Sequence, residues 1–182
     1  MEDIKINKKR FERIISRTEI TMAVERVASK INKDLKKKNP VFVVVLNGGF
    51  FFGSDLLKLI KTDCSYEFVK ASSYKGAKTT GKVKFDLGFT ESVKDRVVVI
   101  VEDIIDTGTT IEAIFKELKK VKPKQIKVAS LLMKTEAYKK DIPIDYVGIK
   151  VPNRFLVGYG LDYDGHGRNL QHIYTMINSN KR

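Results

Sequence analysis

Three carboxylates lie close together in the sequence, directly after an apolar run. Val97–Val101 consists of β-branched residues, as in a strand that is buried on both faces. Glu102, Asp103 and Asp106 follow it, and an apolar helical pattern begins at Ile111. A buried strand therefore carries acidic groups to its carboxyl end, and open α/β sheets bind their ligands beyond that end.

The residues after these acids suit a phosphate group. Gly108 permits a positive φ and a close approach to the main chain, while Thr107, Thr109 and Thr110 supply hydroxyl donors. The N-terminus of the following helix also favours an anion. A phosphate beside three carboxylates would be repelled unless a polyol or Mg²⁺ lay between them. The pattern favours a sugar phosphate site over the alternative, a helix that Asp106 merely caps.

Alternating strands and helices must hold this loop in place. Ser16 and Glu19 form a capping box that predicts a helix over residues 17–37. Val41–Leu46 is a buried strand, followed by a glycine turn and a helix. Further strands are predicted at 66–72, 97–101, 125–133, 145–151 and 155–158, a hairpin arm at 82–87, and a helix at 109–121. This order implies right-handed βαβ units and a mostly parallel sheet.

The composition narrows the class of protein. We expect the 182 residues to form a single domain over 1–182. The single cysteine, Cys64, excludes an internal disulfide. No apolar run is long enough to span a bilayer, and the first ten residues hold no apolar export signal. We therefore expect a cytoplasmic protein without a membrane partner.

The formal net charge of +13 has two interpretations. Lysines crowd into Lys33–Lys38 and Lys119–Lys127, close to the ends of predicted helices. Such runs are usually solvated surface, and we favour this over a nucleic-acid-binding face because no nucleic-acid-binding motif accompanies them. Nucleic acid is therefore not an expected partner. A basic field would also attract a substrate that carries several phosphates.

The segment Glu102–Thr110, EDIIDTGTT, resembles the 5-phosphoribosyl-1-diphosphate binding motif of the type I phosphoribosyltransferases. The flanking residues resemble the hypoxanthine-guanine branch of that family, from about Ser16 to about Tyr174. The resemblance implies an α/β fold with a mostly parallel central sheet flanked by helices and a small hood built from the chain termini. It also implies transfer of a phosphoribosyl group to N9 of hypoxanthine or guanine.

The same resemblance implies roles for residues around the sugar. Glu102 and Asp103 would hold the ribose hydroxyls, in part through Mg²⁺, and Asp106 would act as general base toward N7 of the purine. Both acids reach one sugar only if the chain already turns there, because side chains alternate along a strand. The remaining residues of the phosphate loop are Thr107, Gly108, Thr109 and Thr110. The diphosphate loop comprises Leu46, Asn47, Gly48 and Gly49, with a cis peptide between Leu46 and Asn47 and with Arg168 nearby.

The resemblance also implies a lid and a purine pocket. The lid would begin at Ser73 and Tyr74, in a loop that extends to Gly81. Lys134 would donate a hydrogen bond to the 6-oxo group. Phe155 would stack on the base, the Leu156 backbone would contact its edge, and Asp162 would lie near the exocyclic amine and a second Mg²⁺.

The expected partners are 5-phosphoribosyl-1-diphosphate, a 6-oxopurine base and further copies of the chain, as a homodimer or homotetramer. Phe50–Phe52 could supply an apolar contact patch between copies. Two alternatives stay open from the sequence. One is a regulator that senses the same ribosyl donor while binding nucleic acid, and the other is transfer to a pyrimidine or to xanthine.

Overall fold

The computed structural model describes residues 3–73, 83–87 and 93–177. Three helices occur in this part of the chain: α1 (Arg17–Asp34), α2 (Phe50–Leu57) and α3 (Thr109–Lys120). Its strands are β1 (Asp3–Ile6), β2 (Lys9–Ile15), β3 (Val41–Leu46), β4 (Ser65–Ser73), β5 (Val83–Leu87), β6 (Val97–Ile105), β7 (Gln125–Lys134), β8 (Tyr146–Val151), β9 (Leu156–Val157) and β10 (Ile173–Met176).

The central sheet has the strand order β5-β4-β3-β6-β7-β8. Strands β4, β3, β6, β7 and β8 run parallel, and β5 pairs antiparallel with β4 at the edge. Helices α1 and α2 pack on one face and α3 on the other, so β6 is buried on both sides. The predicted mostly parallel sheet flanked by helices is confirmed.

Strand β6 extends beyond its apolar run to Ile105. Its partner β7 continues beside it, pairing Glu102 with Ser130 and Ile105 with Met133. Glu102 and Asp103 therefore belong to the strand, and the turn expected at these residues begins only after Ile105. Burial within the sheet, rather than exposure on a loop, governs the chemistry of these two acids.

Helix α1 begins as predicted and ends earlier. The Ser16 hydroxyl accepts from the Glu19 amide, and the Glu19 carboxylate accepts from the Ser16 amide, as a capping box requires. The helix ends at Asp34 instead of residue 37. Lys37 adopts a φ of 60°, which a right-handed helix cannot accommodate.

A second, antiparallel sheet forms the hood, with the strand order β1-β2-β10-β9. Its small core contains Phe11, Val157 and Tyr174. Asn7 and Lys8 both have positive φ at the turn between β1 and β2, as a two-residue hairpin requires. None of the helices in the described part of the chain has the length and apolar character needed to cross a lipid bilayer.

Candidate active site

Two buried carboxylates lie near the carboxyl end of β6. The side chains of Glu102 and Asp103 belong to residues that are only 9% and 7% exposed. Burial, reinforced by the neighbouring Asp103 charge, raises the pKa of Glu102 well above its usual range. Burial also raises the pKa of Asp103, although its Oδ1 accepts from the Ile104 amide at 2.8 Å. The ionised form of such a pair is stabilised when hydroxyl donors or a cation bind beside it.

The Glu102 carboxylate has unused hydrogen-bonding capacity. Its Oε2 atom is buried and has no hydrogen-bond partner among the described residues. A buried acceptor without a donor is costly, and in native structures it calls for an explanation such as a catalytic role or a bound water or ion. Hydroxyl groups and cations are both suitable partners for this oxygen.

The phosphate loop follows directly and opens α3. Gly108 adopts a φ of +85° and is buried beneath Tyr138 and Lys140, where an added Cβ would lie 2.5 Å from the Tyr138 ring. The Thr107 and Thr109 hydroxyls are exposed and lie 3.1 Å apart. No side chain caps the N-terminus of α3. The uncapped first turn of α3 thus begins beside these hydroxyl donors, an arrangement that is suitable for a phosphate.

Lys134 and Asp106 form an ion pair at the edge of the same loop. Lys134 ends β7, and its Nζ donates to Asp106 Oδ2 at 2.6 Å. The two side chains differ in exposure, at 11% for Lys134 and 49% for Asp106. A nearly buried ammonium and an accessible carboxylate thus lie side by side, one with N–H donors and the other with an acceptor oxygen.

The loop between β3 and α2 covers the β6 acids. Its Leu46–Asn47 peptide bond is cis, as the family resemblance implies. Gly48 lies so close to Asp103 that an added Cβ would be 1.8 Å from Oδ2, so any larger residue there would displace the Asp103 carboxylate. Gly49 is similarly confined by the main-chain oxygens of Val45 and Val101. The main chain of this loop and the carboxylate of Asp103 are therefore in direct contact.

The hood carries the remaining predicted site residues. Phe155 is 46% exposed, and its ring makes an edge contact with Tyr163 at a centroid distance of 5.7 Å. Leu156 is buried in β9. Arg168 pairs with Asp162 at 2.5 Å, and its positive charge also lowers the pKa of Asp103, against the larger raising effect of burial.

The comparisons with known proteins point to one family. Residues 12–164 match the family model described as phosphoribosyl transferase domain. A hypoxanthine-guanine phosphoribosyltransferase of Streptococcus pneumoniae is 38% identical over 161 residues, or 88% of this chain and 89% of that protein. A hypoxanthine-guanine-xanthine phosphoribosyltransferase of Tritrichomonas foetus is 37% identical over 161 residues, covering 87% and 88%. A crystal structure of hypoxanthine phosphoribosyltransferase from Staphylococcus aureus superimposes with a TM-score of 0.86, 37% identity and 91% coverage of both chains.

The chain belongs to the phosphoribosyltransferase family.

The predicted enzyme class, a phosphoribosyltransferase, and the predicted fold are therefore confirmed. The residue assignments stay predictions, although the structure brings most of them together. The β6 acids, the phosphate loop, the Leu46–Gly49 loop, Lys134 and Arg168 are positioned around the carboxyl end of the sheet. The lid residue Tyr74 lies outside the described residues, and only the backbone of Ser73 is described, at the end of β4.

The sequence analysis missed two residues of this phosphoribosyltransferase that contact the phosphate loop but lie far from it in the sequence. Tyr138 and Lys140 cover Gly108, and Lys140 Nζ donates to Glu112 Oε2 in the first turn of α3 at 2.9 Å. Their relation to Gly108 depends on tertiary packing across some thirty positions of sequence, so no local pattern could have identified them.

Glu102 and Asp103 are the residues of this phosphoribosyltransferase best suited to a metal ion. Both offer hard carboxylate oxygens, the ligands that Mg²⁺ prefers. No group of three or more His, Cys, Asp or Glu side chains with metal-binding geometry occurs in the described segments. Two carboxylates are the number of protein ligands with which proteins commonly hold Mg²⁺. Asp162, the other predicted ligand, is engaged by Arg168 and by the Gly165 amide at 2.8 Å.

Proposed function

We propose that this phosphoribosyltransferase moves the 5-phosphoribosyl group of 5-phosphoribosyl-1-diphosphate to N9 of hypoxanthine or guanine and releases diphosphate. The 2.6 Å pairing of Lys134 with Asp106 is the observation that carries the proposal. O6 and N7 are adjacent atoms on one edge of a 6-oxopurine, within reach of a single bidentate group. A donor and an acceptor held side by side match that edge when N7 carries a proton.

The purine reacts through the N9 lone pair, so the proton of the incoming base resides on N7. Asp106 accepts this proton as the bond from N9 to C1′ forms. Lys134 donates a hydrogen bond to O6 while N9 attacks C1′. Adenine presents an amine at the same position, so donor would face donor and the ammonium would gain no acceptor from the base.

The ribosyl group acquires positive charge as diphosphate departs. Glu102 and Asp103 accept hydrogen bonds from its hydroxyls and stabilise that charge, which resembles an oxocarbenium ion. Their raised pKa values follow from burial, and the arriving donors favour the ionised form. The hydroxyls of the phosphate loop and the first amides of α3 hold the 5′-phosphate. Phe155 offers an exposed ring for stacking on the base.

Mg²⁺ is the proposed cofactor, and Glu102 and Asp103 are its proposed protein ligands. Proteins usually hold Mg²⁺ through one or two carboxylates together with substrate phosphate oxygens. When bound, the ion would neutralise charge on the diphosphate group. Chelation of divalent ions should abolish product formation, and added Mg²⁺ should restore it. Full activity after exhaustive chelation would contradict this part of the proposal.

A homodimer or homotetramer is the proposed assembly. An apolar face formed by α2 and β4 exposes Phe50, Tyr66 and Phe68, at 49%, 59% and 38%. Of the predicted patch Phe50–Phe52, only Phe50 is substantially exposed, because Phe52 belongs to the core. An exposed aromatic cluster of this kind is typical of a protein contact. Light scattering should report at least a dimer, and a Phe50→Glu variant should shift the mass toward the monomer. A wild-type monomer would contradict the assembly.

A substrate panel tests the function directly. The protein is incubated with Mg²⁺, 5-phosphoribosyl-1-diphosphate and one base, and nucleotide formation is followed by ultraviolet absorbance. Hypoxanthine and guanine should react, and adenine should be a very poor substrate. Xanthine and a pyrimidine belong in the panel, since the Tritrichomonas foetus relative is named for xanthine as well. Efficient AMP formation, or turnover with the pyrimidine alone, would overturn the proposal.

A further inference from the structure

A partly buried hydrogen bond joins the hood to the helix that follows the diphosphate loop. Tyr159 lies just after β9 and is only 9% exposed. Its hydroxyl donates to Asp55 Oδ2 on α2 at 2.7 Å, across 104 positions of sequence. Asp55 Oδ1 also accepts from Lys58 at 2.6 Å. The Tyr159 ring also packs against Phe51, with centroids 6.0 Å apart.

The phenol keeps its proton in this position. Burial, together with the hydrogen bond to Asp55 and the charge of that carboxylate, raises the pKa of Tyr159 far above its usual range. Tyr159 therefore stays a donor at neutral pH. The bond is a fixed structural link and not a titrating one.

The next residue, Gly160, touches both sides of the diphosphate region. An added Cβ at Gly160 would lie 2.1 Å from the Gly48 carbonyl oxygen, so the two main chains are in direct contact. The Gly160 carbonyl accepts from Arg168 Nη1 at 2.5 Å, and its amide donates to the Arg168 carbonyl at 2.9 Å. The position of Gly160 thus determines where the Arg168 guanidinium lies relative to Gly48.

We propose that the hydrogen bond from Tyr159 to Asp55 is a clamp that positions Arg168 and the Gly48–Gly49 loop for the diphosphate group. Tyr159 and Asp55 are positioning residues, since they act through Gly160 and α2 without contacting the reacting atoms. The inference rests on the proposed function for the identity of the anion. It adds two residues outside the site whose effect is specific to one of the two substrates.

The clamp and a purely structural role predict different kinetics. Loss of a clamp weakens the binding of 5-phosphoribosyl-1-diphosphate and of diphosphate. It leaves the binding of the purine at Lys134 unaffected. Loss of general packing lowers the Tm and disturbs both substrates alike. Tyr159→Phe retains the ring contact with Phe51 and removes only the donor, so it separates the two.

The test compares Tyr159→Phe, Asp55→Ala and the double variant with wild type. Each single change should raise the KM for 5-phosphoribosyl-1-diphosphate about 10-fold, the range of one hydrogen bond to a charged group. The KM for hypoxanthine and the kcat should stay near wild type. The double variant should be no worse than either single variant, because both remove the same bond. Tyr146→Phe, which removes a phenol hydroxyl at the amino end of β8, opposite to the carboxyl end where the site lies, is the matched control and should behave as wild type.

Equal increases in both KM values, or additive losses in the double variant, would overturn the clamp. Calorimetric titration of each protein with diphosphate and Mg²⁺ gives a readout that does not need turnover. Tyr159→Phe should bind diphosphate about 10-fold more weakly than wild type, and unchanged affinity would refute the inference. If wild type makes no nucleotide yet binds diphosphate in a Tyr159-dependent manner, the proposed function fails and the clamp stands.

Discussion

Replacing Asp106 by asparagine keeps the size of the side chain and removes its charge and its capacity to accept a proton. Lys134 would lose the anion that lies 2.6 Å from its Nζ, but it would stay at the end of β7 with an 11% exposed side chain. Binding of the purine through O6 should therefore persist, while the N7 proton would have no acceptor. Loss of general acid–base help costs roughly 10²–10⁴ in rate, or about 3–5.5 kcal/mol of transition-state stabilisation at 1.36 kcal/mol per decade.

The expected result is a fall of kcat by about two to four orders of magnitude with a nearly unchanged KM for hypoxanthine. Absorbance assays at saturating concentrations of both substrates separate these parameters. Asp141→Asn is the matched control, because Asp141 is an exposed acid beyond β7, and it should retain wild-type turnover. Near-normal kcat in the Asp106→Asn variant would refute the assignment of this carboxylate as the proton acceptor.

Two further predictions concern the buried acids and the glycine above them. Burial raises the pKa of Glu102, so the stability that this group contributes is present at low pH and is lost as the pH rises through the raised value. Glu102→Gln should therefore raise the Tm of the ligand-free protein above that of wild type at about pH 8. The difference should shrink as the pH falls toward 4.5, the ordinary pKa of this group. A calorimetric Tm below that of wild type at about pH 8 would contradict this. Gly48→Ala would place a Cβ 1.8 Å from Asp103 Oδ2. A displacement of about 1 Å in a reacting group costs roughly 100-fold, so kcat/KM for the ribosyl donor should fall by that factor, and an unchanged value would show that this acid does not hold the sugar.

The local parts of the fold were accessible from the sequence. The capping box at Ser16 and the β-branched run of β6 are short-range patterns, and both correspond to elements of the structure. The end of α1 was wrong by three residues, since Lys37 takes a left-handed conformation that no apolar period reveals. The extension of β6 to Ile105 depends on β7 continuing beside it. The hood was expected from the chain termini, but the strands β1, β2 and β10 were not predicted from their residues.

The candidate site divides in the same way. The acids and hydroxyls of Glu102–Thr110 are adjacent in sequence, so their chemistry could be inferred from spacing alone. Lys134 reads by itself as a surface lysine at a strand end, and only the packing of β7 beside β6 brings it to Asp106. The contact between Gly160 and Gly48 joins positions far apart in the chain. Such relations come from tertiary structure or from family resemblance, and not from local pattern.

A crystal structure of the protein soaked with IMP and Mg²⁺ tests the central claim most directly. The 5′-phosphate should lie on the loop that opens α3, with the ribose hydroxyls at Glu102 and Asp103. Lys134 should donate to O6, and Asp106 should face N7. A nucleotide bound elsewhere, with the carboxyl end of β6 free of it, would contradict the account.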